Sequence, residues 1–284
     1  MDRIKVGLVQ LAWAGTRAAM IEDYRRLVYE AAARGAELIC LPELSLSPYF
    51  PVTTDPAGFD WAEPLPGGET ERLFSELARA HRVAIISSLV EKTEDGHVFD
   101  TAILHQPDGA LGGVTRKIHI PSGAGYNETH FFEAGTTYPV HAVRTLMVAA
   151  PTCYDQWFPE LARIYALNGA EFLFYPTAIG SEPTAPEVDT QDAWRTVMRG
   201  HAVANGVYVG AANRVGVEQG QTFYGGSFVC DPMGRVIAQA GRDTTEVITA
   251  ELDPDLFAEW RRLFPLLQQR QPAVYGRLTE RGGA

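Results

Sequence analysis

The sequence predicts a mixed α/β layered domain. Short apolar runs alternate with segments of helical period, and consecutive apolar runs in the middle of the chain flank Asp–Gly turns. No composition break marks a linker and no short-period repeat divides the chain. Its 284 residues, 46% hydrophobic and 21% charged, are enough for a sizeable core without disulfides and exclude a disordered chain. A formal charge of −11 offers nothing to neutralise phosphates, which argues against a nucleic-acid partner.

Taken in order, residues 4–11 are β-branched and apolar, hence a buried strand. The first fifteen residues superficially imitate a secretion signal, but Gln10 interrupts a run that is already short. Residues 18–34 place Met20, Ile21, Tyr24, Leu27, Val28 and Ala31 at helical spacing, with Gly35 as C-cap. A strand over 37–41 leads into a proline-rich loop, then a helix over 70–81 and a strand over 83–90. Turns at 94–96 and 107–109 predict hairpins. The apolar run 145–153 ends at a cysteine, followed by a helix over 157–167, a strand over 171–175 and an amphipathic helix over 192–205. Strands are expected at 207–212, 222–230, 235–239 and 247–252, and Asp253 caps a helix over 254–263. The remainder has no clear period.

Cys40, Cys153 and Cys230 are too few and too scattered for a disulfide framework or a CxxC metal knuckle, so a reducing cytosol is the simplest setting. No stretch approaches the roughly 18 apolar residues of a membrane helix. Three polar residues stand at the ends of apolar runs: Glu43 after ELICLP, Lys117 after LGGVTR, and Cys153 after TLMVAAPT. Strand ends are where open α/β sheets carry their sites. If these ends converge, the thiol attacks a carbonyl or nitrile carbon, the carboxylate takes its proton and later activates water, and the ammonium holds the oxyanion. Separately, each is a buried or solvated residue of no special role. The helix expected at Trp157 would favour the Cys153 thiolate through its positive end.

The surrounding words carry a resemblance. PTCYDQWFPELAR around Cys153, TRKIHIPSGAGYNETHFFEAG around Lys117 and LPEL around Glu43 resemble the nitrilase, or carbon–nitrogen hydrolase, superfamily. Residues 153–160 and 174–183, with WRTVMRGHAVAN, TFYGGSF and QPAVYGRL, are most similar to its branch acting on N-carbamoylputrescine. The resemblance runs nearly end to end. It implies a four-layer α-β-β-α sandwich, as a single domain over 1–284, with neither metal nor organic cofactor. Oligomers are usual there, and the tail from about residue 264 is expected at an oligomer interface. By residue it implies Glu43 as general base, Lys117 as oxyanion-stabilising cation, Cys153 as nucleophile, the Tyr154 N–H in the oxyanion hole, and Glu128 orienting the lysine and substrate. Pro151 and Thr152 depart from the small or aliphatic run that usually precedes the cysteine. Ser45-Leu46-Ser47-Pro48 also departs from the pattern, and that loop is expected to line the substrate tail.

Charge then narrows the substrate. Branches that take carboxylates often place an arginine just after the cysteine, whereas here Tyr154-Asp155-Gln156-Trp157 carries no cation. Asp155, Glu182 and Glu187 are the nearby acids, and Tyr49, Phe50, Tyr126, Tyr154 and Trp157 supply aromatic walls. Such a pocket suits a protonated amine. The expected substrate is therefore a small cationic ureido compound, N-carbamoylputrescine, with Tyr126, Asp155, Trp157, Thr177, Ala178 and Glu182 touching it. Asp155 as a mere cap of the following helix is an equal reading. The alternatives are a β-ureidopropionase-like or aliphatic amidase, or a non-catalytic binding protein of the same fold. His119 reads as a structural hydrogen-bonder, and His130, His141 and His201 have no partner at metal spacing.

Overall fold

Two sheets stack face to face with helices on their outer sides, which is the predicted four-layer α-β-β-α arrangement. The structure, a computed structural model, describes residues 2–280; Met1 and residues 281–284 of the predicted domain lie outside the described residues. The first half of the chain runs β1 (Ile4–Ala12), α1 (Arg17–Ala33), β2 (Leu38–Cys40), β3 (Glu63–Pro64), α2 (Glu69–His81), β4 (Ala84–Lys92), β5 (Val98–His105), β6 (Leu111–Arg116), β7 (His141–Val143) and β8 (Leu146–Ala149). It continues with α3 (Pro159–Leu167), β9 (Phe172–Pro176), α4 (Gln191–Asn205), β10 (Tyr208–Ala212), β11 (Arg214–Glu218), β12 (Gln221–Tyr224), β13 (Phe228–Cys230), β14 (Val236–Gln239), β15 (Glu246–Leu252) and α5 (Pro254–Leu263).

One sheet has the order β12-β11-β1-β2-β4-β5-β6, with β15 also pairing β1 and β3 pairing β4; the other has the order β14-β13-β10-β9-β8-β7. Strand alternation builds the layers. Ile4, Val6 and Leu8 of β1 and Leu38 and Cys40 of β2 meet Val148, Phe172, Phe174 and Tyr208 between the sheets. Val9, Leu11 and Ile39, pointing the other way, pack on Tyr24, Leu27 and Phe74 of α1 and α2. Leu173, Tyr175 and Val209 of the second sheet pack on Leu161, Trp194 and Met198 of α3 and α4.

Gln10, the residue that breaks the N-terminal apolar run, is fully buried in β1. Its amide donates to the carbonyls of Gly241 and Thr244 and accepts from the N–H and Oγ of Ser227. The N-terminal run is thus an interior strand between β2 and β15. Among the described residues no helix is long and apolar enough to cross a membrane.

Two expectations need correction. The single strand expected over 222–230 is two strands in different sheets: β12 pairs with β11, and β13 pairs with β10. Gly225 and Gly226, at φ +56° and +71°, turn the chain between them, a backbone path that β-branched neighbours alone do not signal. The helix expected from Trp157 begins at Pro159, because residues 153–157 form a separate 3₁₀ turn. β3, β7 and β11 were not expected at all.

Candidate active site

The ends of β2, β6 and β8 open onto one buried cluster. Glu43 lies just beyond β2, where the Leu41 N–H extends the ladder to the Ile86 carbonyl. Lys117 follows β6 directly, with its N–H bonded to the Asp100 carbonyl of β5. Glu128 opens a 3₁₀ turn in the loop after Lys117, and Cys153 opens the turn after β8. Glu43 and Lys117 are wholly buried, and Glu128 and Cys153 nearly so.

The Lys117 ammonium lies 2.7 Å from Glu43 Oε1, 2.5 Å from Glu128 Oε2 and 3.4 Å from Asp100 Oδ2. Tyr49 donates its hydroxyl to the other oxygen of Glu128 at 2.7 Å. These three carboxylates would make a plausible metal cage, since one oxygen from each lies within 4.8 Å of the others. Lys117 already supplies the positive charge there. One ammonium facing three carboxylates leaves excess negative charge. Burial, reinforced by Asp100 and Glu128, pushes the Glu43 carboxyl well up despite the pull of Lys117. Burial by itself would lower the lysine, but Glu128 and Glu43 overcome it and hold the ammonium charged.

Cys153 sits at φ +44°, a left-handed conformation that costs a non-glycine residue energy and persists only where the surroundings impose it. Asp155 imposes it. Its carboxylate accepts from the N–H groups of Thr152, Ile118 and His119 and from His119 Nδ1, at 2.8 to 3.3 Å. That knot ties the cysteine turn to the strand end carrying Lys117. The thiol does not have the lowered pKa expected of a helix start: burial pushes it well up, Glu43 and Glu128 add to this, and Lys117 and the Ala178 carbonyl contact oppose without prevailing. The turn's first bond runs from the Asp155 N–H to the Thr152 carbonyl, so the Cys153 and Tyr154 N–H groups precede it and have no partner within the turn.

Above the cluster lies a cavity of about 220 Å³ reached by Cys153 and Glu128. Tyr49, Tyr126, Tyr154 and Trp157 form aromatic walls, and Ala178, Gln156 and Glu182 complete them. Burial raises the Glu182 carboxyl pKa. Of the residues expected to touch substrate, Tyr126, Trp157, Ala178 and Glu182 line this cavity, and Asp155 and Thr177 do not. Asp155 is spent on the knot just described. Thr177 is fully buried, with its hydroxyl donating to the Tyr175 carbonyl. Phe50 packs instead on Phe131 and Phe132, and Glu187 is exposed outside the cavity. The loop 45–48 does not line the cavity either: Leu46 packs under α1 and α2, and Ser45 bonds the Pro42 carbonyl.

Sequence reading missed several residues. Arg214 donates to the carbonyls of Glu43, Leu44 and Ser47 and forms a two-pronged pair with Glu218, both buried, so the loop carrying Glu43 is clamped from β11. Gln156 accepts from Trp194 Nε1 at 2.7 Å, while its Nε2 lies buried at the cavity without a partner. Asp100 carried a signal: an acid at an inward position of β5, two residues before Ala102 and four before Leu104 of the core. His119 behaves as expected, bonded to Asp155 and stacked on Phe158 at 3.6 Å.

A family model described as carbon-nitrogen hydrolase matches residues 5–262. The chain is 36% identical to a citrullinase of Francisella tularensis, over 99% of this chain and 100% of that protein. It is 38% identical to an N-carbamoylputrescine amidase of Solanum lycopersicum, over 96% of this chain and 93% of that one. A crystal structure of a carbon-nitrogen hydrolase from Helicobacter pylori G27 superposes with a TM-score of 0.93 at 37% identity, covering 99% of both chains.

Proposed function

The chain belongs to the carbon–nitrogen hydrolase family and is a hydrolase of C–N bonds; from that premise we propose that it cleaves N-carbamoylputrescine to putrescine, ammonia and carbon dioxide through a thioester on Cys153. The observation that carries the substrate is the cavity wall. Glu182 stands there among Tyr126, Tyr154 and Trp157, and no lysine or arginine is among the described residues lining it. A protonated amine restores charge to the Glu182 carboxylate and stacks favourably on the rings.

Glu43 takes the proton of Cys153 Sγ as the sulfur bonds to the ureido carbon, and the carbonyl electrons move to its oxygen. Lys117 and the Tyr154 N–H hold that oxyanion. Collapse breaks one C–N bond, and Glu43 returns the proton to the departing nitrogen. Water, deprotonated by Glu43, then opens the thioester and restores the thiol, and the released carbamate falls apart to carbon dioxide and the nitrogen that did not leave in the first step, putrescine or ammonia.

Citrulline offers the same ureido group and an ammonium at the far end of its chain, but also an α-carboxylate, which has no cation to meet in this cavity. Rates on N-carbamoylputrescine, citrulline, N-carbamoyl-β-alanine and a simple aliphatic amide test the reading. It predicts the highest kcat/KM for N-carbamoylputrescine; preference for either carboxylate-bearing compound would overturn it. The three buried free cysteines suit a cytoplasmic setting. A homo-oligomeric state is supported by the exposed Leu263, Phe264, Leu266, Val274 and Leu278 at the C-terminal end.

A further inference from the structure

Asp100 has no assigned role, yet it is the third carboxylate on the Lys117 ammonium. It is fully buried on β5, and Oδ1 accepts from Ser88 Oγ at 3.1 Å. Oδ2 lies 3.4 Å from Lys117 Nζ and has no hydrogen-bond partner. Glu43, whose Oε1 takes the lysine, has its Oε2 equally buried and equally without a partner. Two orphaned carboxylate oxygens in one dry cluster are costly as two anions, and a single proton held between them satisfies both.

We propose that Glu43 and Asp100 form a coupled carboxylate pair that keeps one proton between Oε2 and Oδ2, and that loss of this proton is the event that makes Glu43 a base. Asp100 is thus a positioning residue acting through Glu43. The groups facing the pair agree. Lys117 favours the ionised state, whereas burial and Glu128, which is bonded to Tyr49 and Lys117, disfavour it. Ser88 stabilises the Asp100 anion from β4 and is braced in turn: its Oγ accepts from the Leu44 N–H at 2.9 Å, and its N–H donates to Ser45 Oγ at 3.1 Å. The same hydrogen-bond chain therefore joins Asp100 to the loop that carries Glu43.

The proposal rests on Glu43 serving Cys153 as base, but its test does not depend on the substrate. Alkylation of Cys153 by iodoacetamide, followed by intact mass, reports the pH at which the base switches on; Cys40 and Cys230 are fully buried. In Asp100→Asn the repelling charge is gone, so the acid limb moves to lower pH by about one unit or more. In Ser88→Ala the Asp100 anion loses its donor and the limb moves to higher pH. A purely structural role gives no opposed shifts. An unmoved or raised limb in a folded Asp100→Asn chain overturns the proposal, as does a lowered limb in Ser88→Ala. If the opposed shifts appear while no ureido compound is turned over, the substrate reading fails and the carboxylate pair stands.

Discussion

At Cys153, burial and the Glu43 charge push the thiol up while Lys117 pulls it down, and the upward effects win. The resting sulfur is therefore protonated, and in the proposed mechanism Glu43 is the group that takes its proton. Replacing Glu43 by Gln keeps the contact with Lys117 but removes the proton acceptor, and kcat is expected to fall about 10²–10⁴-fold with little change in KM. Because burial raises the Glu43 carboxyl, its ionised form exists only above that raised pKa, and activity declines as pH falls through it. Glu182→Gln, in contrast, is expected to raise KM for N-carbamoylputrescine about tenfold while leaving an uncharged amide unaffected, since a lost charge-assisted bond is worth roughly that much. Equal effects on both substrates would deny Glu182 its part in binding the amine. Glu43, Lys117 and Cys153 were legible because each ends an apolar run in a recognisable word. Asp155 was half legible: its position beside the cysteine was plain, but only the folded chain shows its carboxylate taken up by N–H groups of its own turn and of the distant Ile118–His119 segment.

At the level of elements, the cluster is held by strands remote in sequence. Arg214 of β11 grips the Glu43 loop through three carbonyls while Glu218 neutralises it, both out of solvent. Arg214→Met leaves the Glu218 carboxylate buried and unpaired, and should cost about 3–5 kcal/mol in urea unfolding. Adding Glu218→Leu should recover part of that loss; a single variant as stable as the native chain would show that the clamp carries no load. Gly180 is a second such point: a Cβ there would stand 1.8 Å from the Thr222 carbonyl, across the bridge from Gly180 to Phe223. The helices and most strands could be read from period and caps, such as Asp253, which accepts from the Asp255 N–H. The split of 222–230 between two sheets was not legible, because both halves are equally apolar and the deciding feature is backbone conformation at Gly225 and Gly226.

For the molecule as a whole, His105 and His201 are buried, His141 is half-buried, and the pKa values of all three are lowered, chiefly by desolvation. A histidine that stays neutral when folded but takes a proton near pH 6.5 when unfolded makes the unfolded chain bind more protons, so stability falls as pH drops through that value. The urea midpoint is expected to decrease between pH 7.5 and 5.5, and less so in His141→Gln. The layered architecture followed from alternation and helical period, whereas the meeting of three strand ends in one chamber rested on resemblance, since no local pattern encodes contacts between residues 43, 117 and 153. The proposed chemistry puts the substrate carbon on one sulfur. Mass spectrometry of the intact protein, quenched during turnover of N-carbamoylputrescine, should find an adduct on Cys153, bare carbamoyl if the amine leaves first or carrying the aminobutyl tail if ammonia does. Formation of putrescine at the native rate by Cys153→Ala, with no adduct on the native chain, would contradict it.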